Sequence, residues 1–244
     1  MNHTEETSFS LQSGAFTLKG IHHLPLSPPS PYIIAAHGMM STKDSPKYVA
    51  LGEKLVKAGF GFIRFDFTGC GESAGTFQNA SLTQRIDDLI AVVSWTRSLD
   101  TFNGTLGLFG SSMGGTVALT VGALEKADAT VLLATPVMRS SQPPPELREV
   151  YERYPHYFED NRANLETFPF ERVSSCLVIH GGNDTVVSPE NAFYVYERIS
   201  QPKEIWIVQG ADHQFLDESL RNSMLERTVH WFSRFCRSFP TERS

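Results

Sequence analysis

Apolar residues in this chain fall into two alternating patterns. Short runs that are apolar almost throughout occur at PYIIAAHG (31–38), GFIRFDF (61–67), TLGLFGS (105–111), TVLLATP (130–136), CLVIHGG (176–182) and EIWIVQG (204–210). Runs of this kind suit strands of a parallel sheet covered on both faces. Between them lie longer segments, near 46–58, 82–97, 113–126, 189–199 and 216–236, whose apolar positions recur at helical spacing. The second carries Leu82, Ile86, Leu89, Val92 and Val93 on one stripe, with Ser81 placed to cap it. Strand then helix, repeated, predicts an α/β fold with a mostly parallel central sheet and helices on both faces. The first 26 residues, which include FTLKGIHHLPL, read as a leading antiparallel hairpin.

One interval breaks the rhythm. From 138 to 175 the expected short connection is replaced by a long insertion containing QPPPELREVYERYPHYFED and FPF, which reads as a small lid or cap within a single domain spanning 1–244. After Pro145, residues Leu147, Val150, Tyr151 and Tyr154 fall at i, i+3, i+4 and i+7, the stripe of a short amphipathic helix. Tyr151, Tyr154, Tyr157 and Phe158, with Phe168 and Phe170, make the insertion aromatic-rich. They are candidates to line a pocket for an apolar acyl or aryl group. The competing reading, that they only anchor the lid to the body, stays open.

Composition narrows the class of function more than it names one. With 41% hydrophobic and 20% charged residues, the chain has an ordinary globular make-up, and no apolar run approaches the roughly 18 residues of a membrane span. The start, MNHTEETSFS, lacks the basic and apolar segments of a secretory signal, and Cys70, Cys176 and Cys236 are an odd, scattered set. A cytoplasmic location is the expectation. A net charge of -6 without a Lys/Arg cluster gives no footprint for nucleic acid or an anionic membrane. The expected partner is a small-molecule substrate; the oligomeric state is left open.

The chemistry concentrates in Gly110-Ser111-Ser112-Met113-Gly114, a GxSxG pattern centred on Ser112 and set between an apolar strand and a helical segment. A sharp strand-to-helix turn strains the central serine, and glycines on either side let the two elements pass closely. A serine hydroxyl needs a general base, and the base an orienting acid. In a parallel sheet the C-terminal strand ends share one edge, and just past two of them stand Asp184 and His213. His180, inside an apolar strand, reads better as a structural histidine; His37, at a strand end, as a loop former. Asp212 is too near His213 in sequence to brace its ring, and Ser111 is buried by the turn. Backbone N–H groups of Met113, at the helix start, and Met39, after the first long strand, are candidates to hold an oxyanion; Met39 also reads as a core residue at a turn. Gly69, Gly71 and Gly75 miss the dinucleotide spacing and no phosphate-loop pattern exists, so FDFTGCGESAG reads as a tight loop near the site, with Cys70 a structural thiol. Ligation of a metal by His180, Asp184 and His213 is conceivable from spacing but the same residues are better explained as acid and base. Neither metal nor cofactor is expected.

Together HGMMSTKDS, GFIRFDFTGCGESAG, GSSMGG, HGGNDTVVSP and GADHQF resemble the α/β-hydrolase superfamily, and within it serine carboxylesterases of the cinnamoyl or feruloyl esterase type. The resemblance implies Ser112 as nucleophile, His213 as general base and acid, Asp184 as orienting acid, and Met39 and Met113 as oxyanion donors. It implies a cofactor-free hydrolase of carboxylic esters with small apolar or aromatic groups, working through an acyl-enzyme. Two departures stand out: a serine, Ser111, occupies the place where those esterases often carry a histidine, and the insertion is shorter than their lid. Peptidase, thioesterase, lipase and carbon–carbon hydrolase activities, and a ligand receptor with a vestigial triad, remain alternatives.

Overall fold

Successive residues of a strand point to opposite faces of its sheet, so a strand buried on both sides must feed two cores at once. That is how the central strands behave in the computed structural model, which describes residues 5–138, 145–154 and 168–236. Strands β1 (Glu6–Ser13) and β2 (Phe16–His23) form the leading hairpin, turning at Gly14 with φ 56°. They join β3 (Ser30–Ala36), β4 (Gly61–Asp66), β5 (Phe102–Ser111), β6 (Ala129–Leu133), β7 (Cys176–Gly181) and β8 (Lys203–Val208) in one eight-stranded sheet of order β1-β2-β4-β3-β5-β6-β7-β8. The pairings β1/β2 and β2/β4 are antiparallel; the others are parallel. This is the α/β-hydrolase fold.

Ile34, Ala36, Leu132 and Val178 face one core, with Leu89 and Val92 of α2 (Leu82–Arg97) and Val117 and Leu119 of α3 (Met113–Glu125). Ile33, Ala35, Val131, Leu133, Leu177 and Ile179 face the other, with Leu51 and Leu55 of α1 (Pro46–Lys57). The helix at the C-terminal end, Glu218–Phe235, adds Met224, Leu225 and Phe232 to that second core. Ser81 caps α2 as its position suggests, its side chain accepting from the Gln84 amide. The C-terminal helix starts at Glu218 rather than 216 because Asp217 accepts from the Leu220 amide at 2.9 Å and so sets the first turn. Strand β8 departs from its reading: it lies at the edge of the sheet and is half-buried along most of its length. Its apolar residues still feed both cores, Ile205 and Ile207 one and Trp206 and Val208 the other, with Arg227 over the Trp206 ring at 5.0 Å.

Within the interval 138–175, a single turn at Pro145–Leu147 runs into α4 (Arg148–Arg153), followed by Tyr154. Leu147, Val150, Tyr151 and Tyr154 pack against the first core, and the Tyr154 ring lies 4.7 Å from Phe77. At the other end Phe168 meets Phe170 at 4.8 Å, and Phe170 meets Tyr194 at 5.8 Å. Tyr194 belongs to α5 (Glu190–Arg198), so Phe168 and Phe170 tie the returning chain to the body, while Tyr154 covers Phe77. The C-terminal helix is α6. Tyr157 and Phe158 lie outside the described residues.

Candidate active site

The turn from β5 into α3 passes through Ser112 at φ 54° and ψ -126°, a conformation that a side chain makes costly. Neighbouring glycines make it possible. A Cβ at Gly110 would run into the Gly114 carbonyl oxygen, and one at Gly114 into the Ala36 carbonyl oxygen, so strand and helix can cross only where both lack side chains. The Ser112 amide donates to the Leu133 carbonyl at 2.8 Å, which pins the elbow to β6.

Asp184 follows β7 and His213 follows β8, and the structure brings both to Ser112. His213 Nδ1 lies 2.8 Å from Asp184 Oδ2, and its Nε2 lies 3.1 Å from Ser112 Oγ. Since a carboxylate only accepts, Nδ1 carries the proton and Nε2 is free to accept the serine hydroxyl. The Asp184 side chain is 0% exposed and that of His213 16%. Asp184 Oδ1 accepts from the amides of Val186 at 2.9 Å and Val187 at 2.8 Å. Burial alone would raise its pKa. The hydrogen bonds from His180 and His213, the attraction of His213 and the Val187 amide outweigh burial and hold the carboxyl well below the usual carboxylate range.

Met113 is the first residue of α3, and its amide is one that the helix itself leaves without a partner. Met39 sits in the turn after β3. Its loop approaches the serine through Gly38, where a Cβ would come within 3.4 Å of Ser112 Cβ. His37 shapes this loop: its Nδ1–H donates to the Gly38 carbonyl at 2.7 Å and its Nε2 accepts from the Phe67 amide at 3.1 Å. Complete burial, with Arg85 adding to it, pushes the His37 pKa down to about 3, which keeps the ring neutral. The glycine-rich segment after β4 wraps a carboxylate instead of a phosphate. Asp66 accepts from the amides of Lys43 at 2.7 Å and Glu72 at 3.0 Å, and a Cβ at Gly71 would strike its carboxyl group.

Lys47 and Arg85 escaped the sequence, and His180, read as a structural histidine, has a polar contact that the sequence does not show. Lys47 of α1 donates to Ser111 Oγ at 3.0 Å, and burial, with Arg221 adding and Asp212 opposing, pulls its pKa down to about 8. Arg85, fully buried on α2, reaches the Met39 carbonyl at 3.5 Å and Cys70 Sγ at 3.4 Å. His180 lies 3.1 Å from Asp184 Oδ2. Each is an ordinary helix or strand residue in sequence, and only packing shows where its polar end goes. Asp212, the near neighbour of His213, accepts from the Leu216 amide at 3.0 Å. A groove of about 580 Å³ lies between α4 and the loop after Met39, lined by Met40, Phe77, Val150 and Tyr154, with Glu149, Glu152 and Arg153 around it. Among the described residues no helix is long and apolar enough to cross a membrane.

The family model described as serine aminopeptidase, S33, matches residues 27–167. Human mitochondrial palmitoyl-protein thioesterase ABHD10 is 25% identical over 228 residues, covering 83% of this chain and 73% of the relative. The uncharacterized protein YqkD of Bacillus subtilis is also 25% identical over 228 residues, covering 86% of this chain and 73% of the relative. Among solved structures, Est1E of Butyrivibrio proteoclasticus with bound ferulic acid superposes with a TM-score of 0.80 at 18% identity, over 93% of this chain and 98% of that one. Mouse alpha/beta hydrolase domain-containing protein 10 gives 0.75 at 21% identity, over 93% and 99% of the two chains.

Proposed function

The chain belongs to the serine aminopeptidase, S33, family of α/β-hydrolases, and from that premise we propose that it is a serine hydrolase of carboxylic esters with small apolar or aromatic groups. The observation that carries this reading is the unbroken line Ser112–His213–Asp184, with contacts of 3.1 and 2.8 Å. His213 Nε2 takes the Ser112 proton as Oγ attacks the ester carbonyl, and the resulting oxyanion is held by the Met39 and Met113 amides. His213 then protonates the leaving alcohol, the carbonyl re-forms and the acyl group stays on Ser112. Water, deprotonated by the same nitrogen, attacks the acyl-enzyme and releases the acid, returning the proton to Ser112. Asp184 keeps the proton on Nδ1 and stabilises the imidazolium without taking the proton itself, as its depressed pKa supports.

The insertion acts in this reading as a lid over an apolar subsite, with Val150 and Tyr154 among its lining. The Met40, Phe77, Val150 and Tyr154 groove supports that role. A thioester is the second scissile bond to consider, because similar human and mouse proteins are palmitoyl-protein thioesterases. Fold and triad alone do not separate ester from thioester or amide.

The test is intact-mass analysis after a fluorophosphonate probe, on wild type and Ser112→Ala, paired with turnover of p-nitrophenyl esters and matched acyl thioesters. We expect one adduct, lost in the variant, and steady turnover reduced by about three to six orders of magnitude in Ser112→Ala. Wild-type activity in that variant would remove Ser112 as nucleophile. Absence of both adduct and turnover would shift the reading to a ligand-binding protein.

A further inference from the structure

His180 occupies an unusual place for a histidine. It lies in β7 within CLVIHG, every residue of which is buried, and its side chain is 0% exposed. One ring nitrogen, Nε2, faces two acceptors: the Val187 carbonyl at 2.8 Å and Asp184 Oδ2 at 3.1 Å. Both are acceptors only, so Nε2 must carry the proton. The other nitrogen, Nδ1, is buried with no hydrogen-bond partner among the described residues. An apolar side chain would avoid burying that unsatisfied atom. What the ring supplies in return is one N–H bonded to the Val187 carbonyl and close enough to Asp184 Oδ2 to share its positive end with a carboxylate whose Oδ1 takes two amides and whose Oδ2 takes His213.

We infer that His180 is a positioning residue for the acid of the catalytic line: its Nε2–H, shared between the Val187 carbonyl and Asp184 Oδ2, steadies the rotation of Asp184 at the oxygen that faces His213. The inference rests on the serine-hydrolase reading for its catalytic meaning, though the contact itself does not. Two consequences follow. With two amides on Oδ1, and with His213 and the shared His180 N–H against Oδ2, the carboxylate cannot turn about its last bond without losing contacts at both oxygens, so His213 is held on line with Ser112. The His180 donor also draws negative charge away from the His213 side of Oδ2, which lowers the stability of the imidazolium. Removing that donor concentrates the charge on His213, so His213 holds its proton to higher pH. Asp212, next to His213 in the chain, interacts electrostatically with Lys47 of α1, as does Arg221 of α6, and a change at His180 leaves all three in place.

The experiment compares His180→Leu, which deletes the donor, with His180→Gln, whose amide can present an N–H near the place of Nε2. Ester turnover is followed across pH, and the His213 ring protons of the resting enzyme are titrated by NMR. We expect His180→Leu to lower kcat about tenfold at unchanged KM, the rate equivalent of about one lost hydrogen bond. The acid limb of kcat/KM and the His213 titration should both move to higher pH, and His180→Gln should restore them toward wild type. A limb that stays or moves lower in His180→Leu, or equal damage in both variants, would overturn the inference and leave His180 as an anchor for the 184–187 loop. If His180→Leu does not fold, His180→Asn, too short to reach Oδ2, takes its place with the same expectations. Fluorophosphonate labelling keeps the two readings apart: an unlabelled wild type defeats the serine-hydrolase reading, whereas the NMR titration judges His180 with no substrate present.

Discussion

Ser112 adopts φ 54°, a conformation that glycine reaches without strain and serine does not. The fold tolerates that strain because Gly110 and Gly114 let β5 and α3 cross and because the Ser112 amide is tied to β6. Ser112→Gly should therefore be more stable than Ser112→Ala by about 1 kcal/mol, since only glycine relieves the backbone. Thermal denaturation of the two variants decides it, and an alanine variant as stable as the glycine variant would deny that the elbow is strained. Gly114→Ala should act oppositely. Its Cβ would meet the Ala36 carbonyl, a backbone atom of the central strand β3, and a loss of about 2–4 kcal/mol is expected from the denaturant midpoint. The chemistry-bearing residues were readable in sequence because GxSxG, Asp184 and His213 each sit just past an apolar run. His180 was not, because a histidine inside an apolar strand looks the same whether its ring nitrogen meets a backbone carbonyl or a carboxylate.

Among the elements, α4 and the groove beside it bear on substrate choice in the proposed ester-hydrolase reading. Tyr154 leans on Phe77 at 4.7 Å, and these two rings with Met40 and Val150 form the apolar side of the groove. Phe77→Ala should lower kcat/KM for long-chain or aryl esters at least about fivefold more than for acetate, one lost apolar contact being worth about 1–3 kcal/mol. An equal loss across the series would separate the groove from the acyl group. The helices illustrate how far local signals reach. Ser81 announced the start of α2, and its side chain indeed accepts from Gln84. Asp217 caps α6, and Asp217→Ala should cost about 1 kcal/mol in denaturant unfolding. For β8 the apolar run suggested a strand covered on both faces; its place at the sheet edge depends on strand order, which no local pattern carries.

Across the whole molecule, buried neutral histidines make stability depend on pH. His37 is pushed down to about 3 by burial, then by Arg85; His23 is pushed down to about 4 by burial, then by Arg64 and His22. Below the ordinary histidine pKa of about 6.5 the unfolded chain binds protons that the folded chain refuses, so stability present at pH 7 declines as pH falls through that value. At pH 5 each histidine should cost about 2 kcal/mol, and the urea midpoint should drop accordingly. His37→Gln should lose part of that dependence; a midpoint equal at pH 7 and pH 5 in the wild type would show that neither ring is held neutral. Sequence by itself determined the α/β class and the succession of strands and helices, because apolar periodicity reports which faces of each element are buried. It also placed Ser112, Asp184 and His213 at strand ends, because parallel strands deliver their C-terminal ends to one edge. Only the tertiary structure decided the strand order that sets β8 at the edge, and the meeting of His180 with Asp184, Lys47 with Ser111 and Arg85 with the Met39 loop. Those contacts join segments distant in the chain or folded back across a turn, and their geometry follows from how whole elements pack, which no local spacing encodes.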